Sequence, residues 1–104
     1  MANRWKIPKW LEDEVLQRDS ACVYCGRPFP ASSGPAGSSW TWEHIVNDAR
    51  IVTRENIALA CRGCNASKGR KPVSEWLRTA YCRERGITTG SVAPVIRSAI
   101  GRGQ

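Results

Sequence analysis

Two Cys-x-x-Cys pairs constrain this chain more than anything else in it. Cys22-Val23-Tyr24-Cys25-Gly26 and Cys61-Arg62-Gly63-Cys64 stand well apart in a sequence of 104 residues. Two cysteines separated by two residues oblige the backbone to fold back into a tight knuckle if both sulfurs are to reach one ion. The glycine after Cys25 relieves the φ strain of that turn. One such pair alone is a weak signal, open to a redox reading or to chance. Two pairs without a secretory context point to a tetrahedral zinc site with Cys22, Cys25, Cys61 and Cys64 as ligands. Such a site is structural, because protein fills all four positions. It also answers a difficulty of size. A single domain this short buries only about 60–65% of its unfolded surface, and zinc contributes on the order of 10 kcal/mol to folding.

The first ten residues are basic, interrupted by Pro8 and without the apolar stretch of a secretory signal. No apolar run approaches the roughly 18 residues of a membrane span. The expectation is a cytoplasmic protein with no membrane contact, in a reducing compartment where paired cysteines serve metals before disulfides. The odd fifth cysteine, Cys82, agrees with this. The net charge of +7 is unevenly spread: residues 1–48 carry five Lys/Arg against six Asp/Glu, and residues 49–104 carry eleven against three. That asymmetry suggests a polyanion, most simply nucleic acid, meeting one side of the molecule. A merely solvated basic surface is the alternative that charge alone leaves open.

Ile7, Trp10, Leu11 and Val15 follow helical spacing, with Pro8 suited to a first turn, so residues 8–18 read as a short amphipathic helix over the core. Arg4, Lys6 and Lys9 read as a solvated basic terminus. Residues 26–39, rich in Pro, Gly and Ser, read as a mobile surface loop. Residues 40–46 alternate in the manner of a strand, 47–50 read as a turn, and Ile51-Val52-Thr53 as the returning strand of a β-hairpin. Thr53 then caps a turn leading to the second cysteine pair, which runs into a helical turn that Gly69 closes. Val73, Trp76, Leu77 and Ala80 make one face of a helix over 73–85 that ends at Gly86, with Cys82 off that face as a spare thiol. Residues 88–104 are weakly patterned; 92–100 read as a short helix and Arg102 onward as fraying.

His44, in Trp42-Glu43-His44-Ile45, is the only histidine. It is therefore the first candidate for acid-base chemistry near neutral pH. A lone histidine is more often a satisfied structural group, and its context decides between the two readings. Asn56 has helix capping as its ordinary alternative, and Asn65 a turn after the knuckle.

Taken together, Cys22-Val23-Tyr24-Cys25-Gly26, Glu43-His44-Ile45 and the run from Asn56 through Cys61-Arg62-Gly63-Cys64-Asn65-Ala66-Ser67-Lys68-Gly69 resemble the HNH endonuclease family in its zinc-stapled form. The resemblance covers about 19–71, half the chain, and lies in several motifs in the right order. It implies a small α+β domain of the ββα-metal, treble-clef-like type, a β-hairpin and flanking helices around a structural zinc, with 1–104 as a single nuclease domain. By position it implies that Glu43 and Asn65 hold one catalytic divalent ion, that His44 is the general base and that Asn56 orients it. Glu43 stands where aspartate is more frequent and Asn65 where histidine is, an HNN variant whose oxygen donors suit Mg²⁺ or Mn²⁺.

The activity so implied is metal-dependent hydrolysis of DNA phosphodiester bonds, by nicking or cutting, with 5′-phosphate and 3′-hydroxyl products. Arg62, Lys68, Arg70 and Lys71 form a basic run placed to meet the nucleic acid. A non-catalytic zinc module that binds nucleic acid is the alternative, and a zinc-stapled protein-interaction domain a weaker third. One geometric condition attaches to the catalytic reading. Neighbours on a regular strand face opposite ways, so Glu43 and His44 converge only if the strand ends or bulges there.

Overall fold

A computed structural model describes residues 5–29 and 40–104. The elements in order are α1 (Lys9–Arg18), β1 (Trp40–His44), β2 (Ile57–Cys61), α2 (Arg62–Lys68), α3 (Val73–Trp76), α4 (Ala80–Arg85) and α5 (Pro94–Gly101). The fold class is α+β as the sequence implies, and β1, β2 and α2 in succession form its ββα unit. Most of the 26–39 loop, and Arg4, lie outside the described residues.

The hairpin pairs β1 and β2 antiparallel, from Trp40 opposite Cys61 to His44 opposite Ile57. The sequence expectation placed the return too early. Ile51-Val52-Thr53 lies within the connection, and β2 is the apolar run IALAC, buried throughout. The reason is the side chain of Asn56. Its carboxamide accepts from Val46 N at 2.7 Å and donates to Val46 O at 3.2 Å and to Ile51 O at 3.0 Å. These bonds satisfy backbone groups that a strand ladder would otherwise have to pair.

Both faces of β2 are used, as period-two alternation dictates. Ile57 and Leu59 join Ile7, Leu11 and Val15 in one core under α1. Ala58 and Ala60 face a second core with Val23, Tyr24, Cys64, Val73 and Trp76. Trp10, expected on the buried face of α1, is 58% exposed, with the Arg54 guanidinium 5.8 Å from its ring. At the end of α1 the buried Asp19 carboxylate accepts from Leu59 N at 3.0 Å and from the Arg18 side chain at 2.7 Å. That acceptor ties the helix to the edge of β2 that β1 leaves unpaired.

The expected single helix over 73–85 is broken into α3 and α4. Thr79 is the cause: its hydroxyl and its N–H both donate to Trp76 O, at 2.7 and 2.9 Å, drawing the backbone out of the helical pattern. The break also turns Cys82 inward. It is fully buried in the second core, where the sequence placed it off the apolar face. Gly86 closes α4 at φ +68°. The α5 helix starts at Pro94, and Ala93 N donates to Val23 O at 2.9 Å, fixing α5 to the first cysteine knuckle. The last residues fold back where fraying was expected: Gln104 N donates to Ala99 O, and Ser74 N to Gln104 O. Among the described residues no helix is long and apolar enough to cross a membrane.

Candidate active site and metal centre

The metal centre joins two backbone turns. In the first, Gly26 N donates to Cys22 O and Cys22 N to Arg27 O, each at 2.9 Å. Gly26 takes φ +78°, which glycine alone adopts at little cost. In the second, Cys61 ends β2 and caps α2, its sulfur accepting from Cys64 N at 3.4 Å. The sulfurs of Cys22, Cys25, Cys61 and Cys64 lie within 4.8 Å of one another, and those of Cys25 and Cys61 are 3.9 Å apart. Zinc–sulfur bonds of about 2.3 Å give tetrahedral S···S edges of about 3.8 Å, so the set fits a zinc ion.

Charge leads to the same conclusion. The hydrogen bond with Cys64 draws the Cys22 thiol down to about 5, and burial pushes Cys25 up to about 11. The contact with Cys22 in turn pushes Cys64 up. Sulfurs this close resist ionising together, and a divalent cation among them removes the conflict. Tyr81 Oη donates to Cys64 Sγ at 3.4 Å, and a Cβ on Gly63 would stand 3.1 Å from that hydroxyl. The small residue inside the second pair thus makes room for a donor to the metal ligand.

Along β1 and the start of α2 lies an open cleft of about 530 Å³ whose walls include Trp5, Glu43, His44, Asn47 and Asn65. His44 is the last paired residue of β1, so the strand ends where the geometric condition on Glu43 and His44 asks for it. Both neighbours line one cleft, as do Thr41 and Trp42 within the strand, and both are largely buried.

Asn65, on α2, is oriented without ambiguity. Its amide nitrogen donates to Trp42 O at 3.1 Å and to Thr41 Oγ1 at 2.9 Å, and the Thr41 hydroxyl donates onward to Ala60 O at 2.9 Å. A backbone carbonyl can only accept, so the NH₂ end must face β1 and the Oδ1 end is the one available as a ligand.

His44 Nε2 is buried and has no hydrogen-bond partner among the described residues. The Trp5 ring stands over the imidazole edge-to-face, with centroids 4.9 Å apart. Burial holds His44 below the ordinary imidazole range, against a smaller upward pull from the Asp48 charge. Burial thus favours the neutral ring, the form a general base requires. Burial raises the Glu43 carboxyl, and the Lys68 ammonium and Tyr24 hydroxyl oppose that rise.

The remaining expected residues are dispersed. Asn56 is buried below the loop that follows His44 and grips that loop, not the imidazole. Arg70 and Lys71 are exposed and line a second groove with Ile45, Val46 and Asn47, so Asn47 is common to both depressions. Arg62 is exposed on α2 and lines neither. Lys68, expected among the phosphate contacts, is wholly buried: its ammonium donates to Ile45 O at 2.9 Å and lies 3.3 Å from Glu43 Oε2. The cost of burying a carboxylate explains its place, since a cation beside Glu43 offsets that cost.

Sequence reasoning assigned no site role to Trp5, Thr41 or Tyr24. Only Tyr24 carried a signal, a phenol inside a cysteine knuckle whose hydroxyl must find a partner once buried.

Comparison with known proteins agrees with the geometry. The family model described as HNH endonuclease matches residues 22–71. Over 72 residues the chain is 33% identical to the CRISPR-associated endonuclease Cas9 of Corynebacterium diphtheriae, a match covering 66% of this chain and 6% of that protein. The chain therefore spans a small fraction of that relative's length. No solved structure gives a significant match.

Proposed function

The chain belongs to the HNH endonuclease family, and we propose that it is a metal-dependent DNA endonuclease with His44 as its general base. The observation that carries this reading is the meeting of Glu43, Asn65 and His44 around one cleft.

In this reading Glu43 and the Oδ1 of Asn65 hold one divalent ion, Mg²⁺ or Mn²⁺ by the hardness of their oxygens. When bound, that ion neutralises charge growing on the phosphoryl and departing oxygens. His44 takes a proton from water as the water oxygen bonds to phosphorus. The bond from phosphorus to the 3′-oxygen breaks and that oxygen takes a proton from solvent, giving 5′-phosphate and 3′-hydroxyl ends. Asn56 fixes the loop behind the imidazole, which keeps the base where the water must lie. Arg70 and Lys71, in the groove joined to the cleft at Asn47, contact DNA phosphates, and Arg62 extends that basic surface.

The test is relaxation of supercoiled plasmid with Mg²⁺ or Mn²⁺ by wild type and by His44→Ala. Loss of one general base lowers the rate by about 10²–10⁴-fold. Equal nicking by both proteins would remove His44 from the role of general base, and none by either with DNA binding intact would overturn the reading in favour of a nucleic-acid-binding module.

A further inference from the structure

Glu43 is held by two donors from different elements, and both reach the same oxygen. Tyr24 Oη donates to Oε2 at 2.5 Å, and Lys68 Nζ lies 3.3 Å from it. Neither donor has latitude. Tyr24 is fully buried between Cys22 and Cys25, its ring edge-to-face on Trp76 with centroids 4.9 Å apart. Trp76 is anchored in turn, its indole N–H donating to Ser67 Oγ on α2 at 2.9 Å. Lys68 is fixed by its bond to Ile45 O at 2.9 Å.

Neutralising a buried carboxylate needs only the lysine. A phenol aimed at the same oxygen adds direction, because O–H donors fix the acceptor's position along the bond. We propose that Tyr24 is a positioning residue for the divalent ion. By holding Oε2 together with Lys68, it leaves Oε1 as the oxygen that Glu43 presents to the cleft it shares with Asn65 and His44. The ion then meets one oxygen of Glu43, whose location is set from the zinc knuckle. The extra methylene of glutamate over aspartate has a use here: one carboxylate spans from Tyr24 in the interior to the cleft.

The proposal rests on the metal-nuclease reading above, and its test separates the two. Mn²⁺ binding is measured on zinc-loaded protein without DNA, by electron paramagnetic resonance, for wild type, Tyr24→Phe and Glu43→Ala. Tyr24→Phe deletes one oxygen and keeps the ring against Trp76. Removing an outer partner of a ligand typically weakens metal affinity by about 10–100-fold. We expect about tenfold weaker Mn²⁺ binding in Tyr24→Phe, with zinc content unchanged and the Mn²⁺ needed for half-maximal nicking raised by the same factor while kcat at saturating Mn²⁺ is retained. In a Glu43→Asp background, where the shorter carboxylate cannot span both places, the same change should cost under about twofold. Should Tyr24→Phe lose zinc, the comparison is made with Zn²⁺ restored to one equivalent, and the same weakening of about tenfold is expected. Unchanged Mn²⁺ affinity in Tyr24→Phe, with binding lost in Glu43→Ala, overturns the positioning role alone. Unchanged affinity in Glu43→Ala overturns the ion site and the role with it.

Discussion

Asn56 grips Val46 at both of its backbone polar atoms, accepting from the N–H at 2.7 Å and donating to the carbonyl at 3.2 Å. Val46 lies two residues past His44, so the amide sets the path of the chain as it leaves that residue. Asn56→Ala leaves Val46 N and two carbonyls without their partner, a loss on the order of 3 kcal/mol. In a domain of about 100 residues that lowers Tm by more than about 10 °C. Asn56→Asp keeps the bond to Val46 N but turns an oxygen toward two carbonyls, so it should restore little. A thermal melt of either variant within about 2 °C of wild type would contradict this account.

The single histidine makes its own titration easy to follow. With burial as the larger influence and Asp48 opposing it, the Hε1 resonance of His44 should shift with a midpoint below the ordinary 6.5. Asp48→Asn should move the midpoint lower still. The sign for stability follows. The unfolded chain takes up this proton at about 6.5, the folded chain only at lower pH, so the contribution of His44 is full above about 6.5 and falls as pH drops through the folded midpoint.

Trp5 covers His44 from the segment preceding α1, where Lys6 has φ +58°. A non-glycine residue in that conformation is uncommon and is retained where surrounding contacts enforce it. Trp5→Ala should expose the imidazole, and modification of His44 by diethyl pyrocarbonate should quicken by several-fold. Equal rates in the two proteins would show that other groups shield the ring.

Chelation of the zinc should unfold the domain and not merely inactivate it, because the four sulfurs join the first knuckle to the β2–α2 junction. The ion contributes on the order of 10 kcal/mol, comparable to the whole stability of a small domain. Far-UV circular dichroism should collapse with excess chelator and return with one equivalent of Zn²⁺. A retained spectrum after complete zinc loss would refute this.

For Arg70 and Lys71, the readout is salt. Each phosphate contact adds about −0.9 to the slope of log K against log salt concentration. Replacing both with Ala should make the slope shallower by nearly 2 and weaken binding to all sequences alike. A slope unchanged in the double variant would place the DNA elsewhere.

The four-cysteine metal site was legible from cysteine spacing because one tetrahedral ion leaves a chain few ways to bring two knuckles together. The meeting of Glu43, His44 and Asn65 at one cleft was legible as an order of residues, but not the means by which two neighbours share it; a strand's end depends on hydrogen bonds made elsewhere, here by Asn56. Lys68 misled because an ammonium within a basic run looks solvated until the carboxylate it neutralises is located in space. Ile51-Val52-Thr53 misled in the opposite sense, as β-branched residues whose backbone is satisfied by a side chain and not by a strand. Trp10 and Trp76 are alike in sequence preference and opposite in exposure, since nothing in helical spacing tells which neighbour will cover an indole.

The strand β2 has a core on each face, β1 along one edge, and on the other Leu59 pairs its N–H with Asp19 and its carbonyl with Val23 N. Amides in such a strand exchange with solvent only when the whole domain opens. Deuterium should therefore enter Ala58 and Leu59 last, at rates that report global unfolding. The surface loops and the segment bearing Trp5 would take up label long before. The side that carries the cleft can then open and close while the strand behind it stays intact.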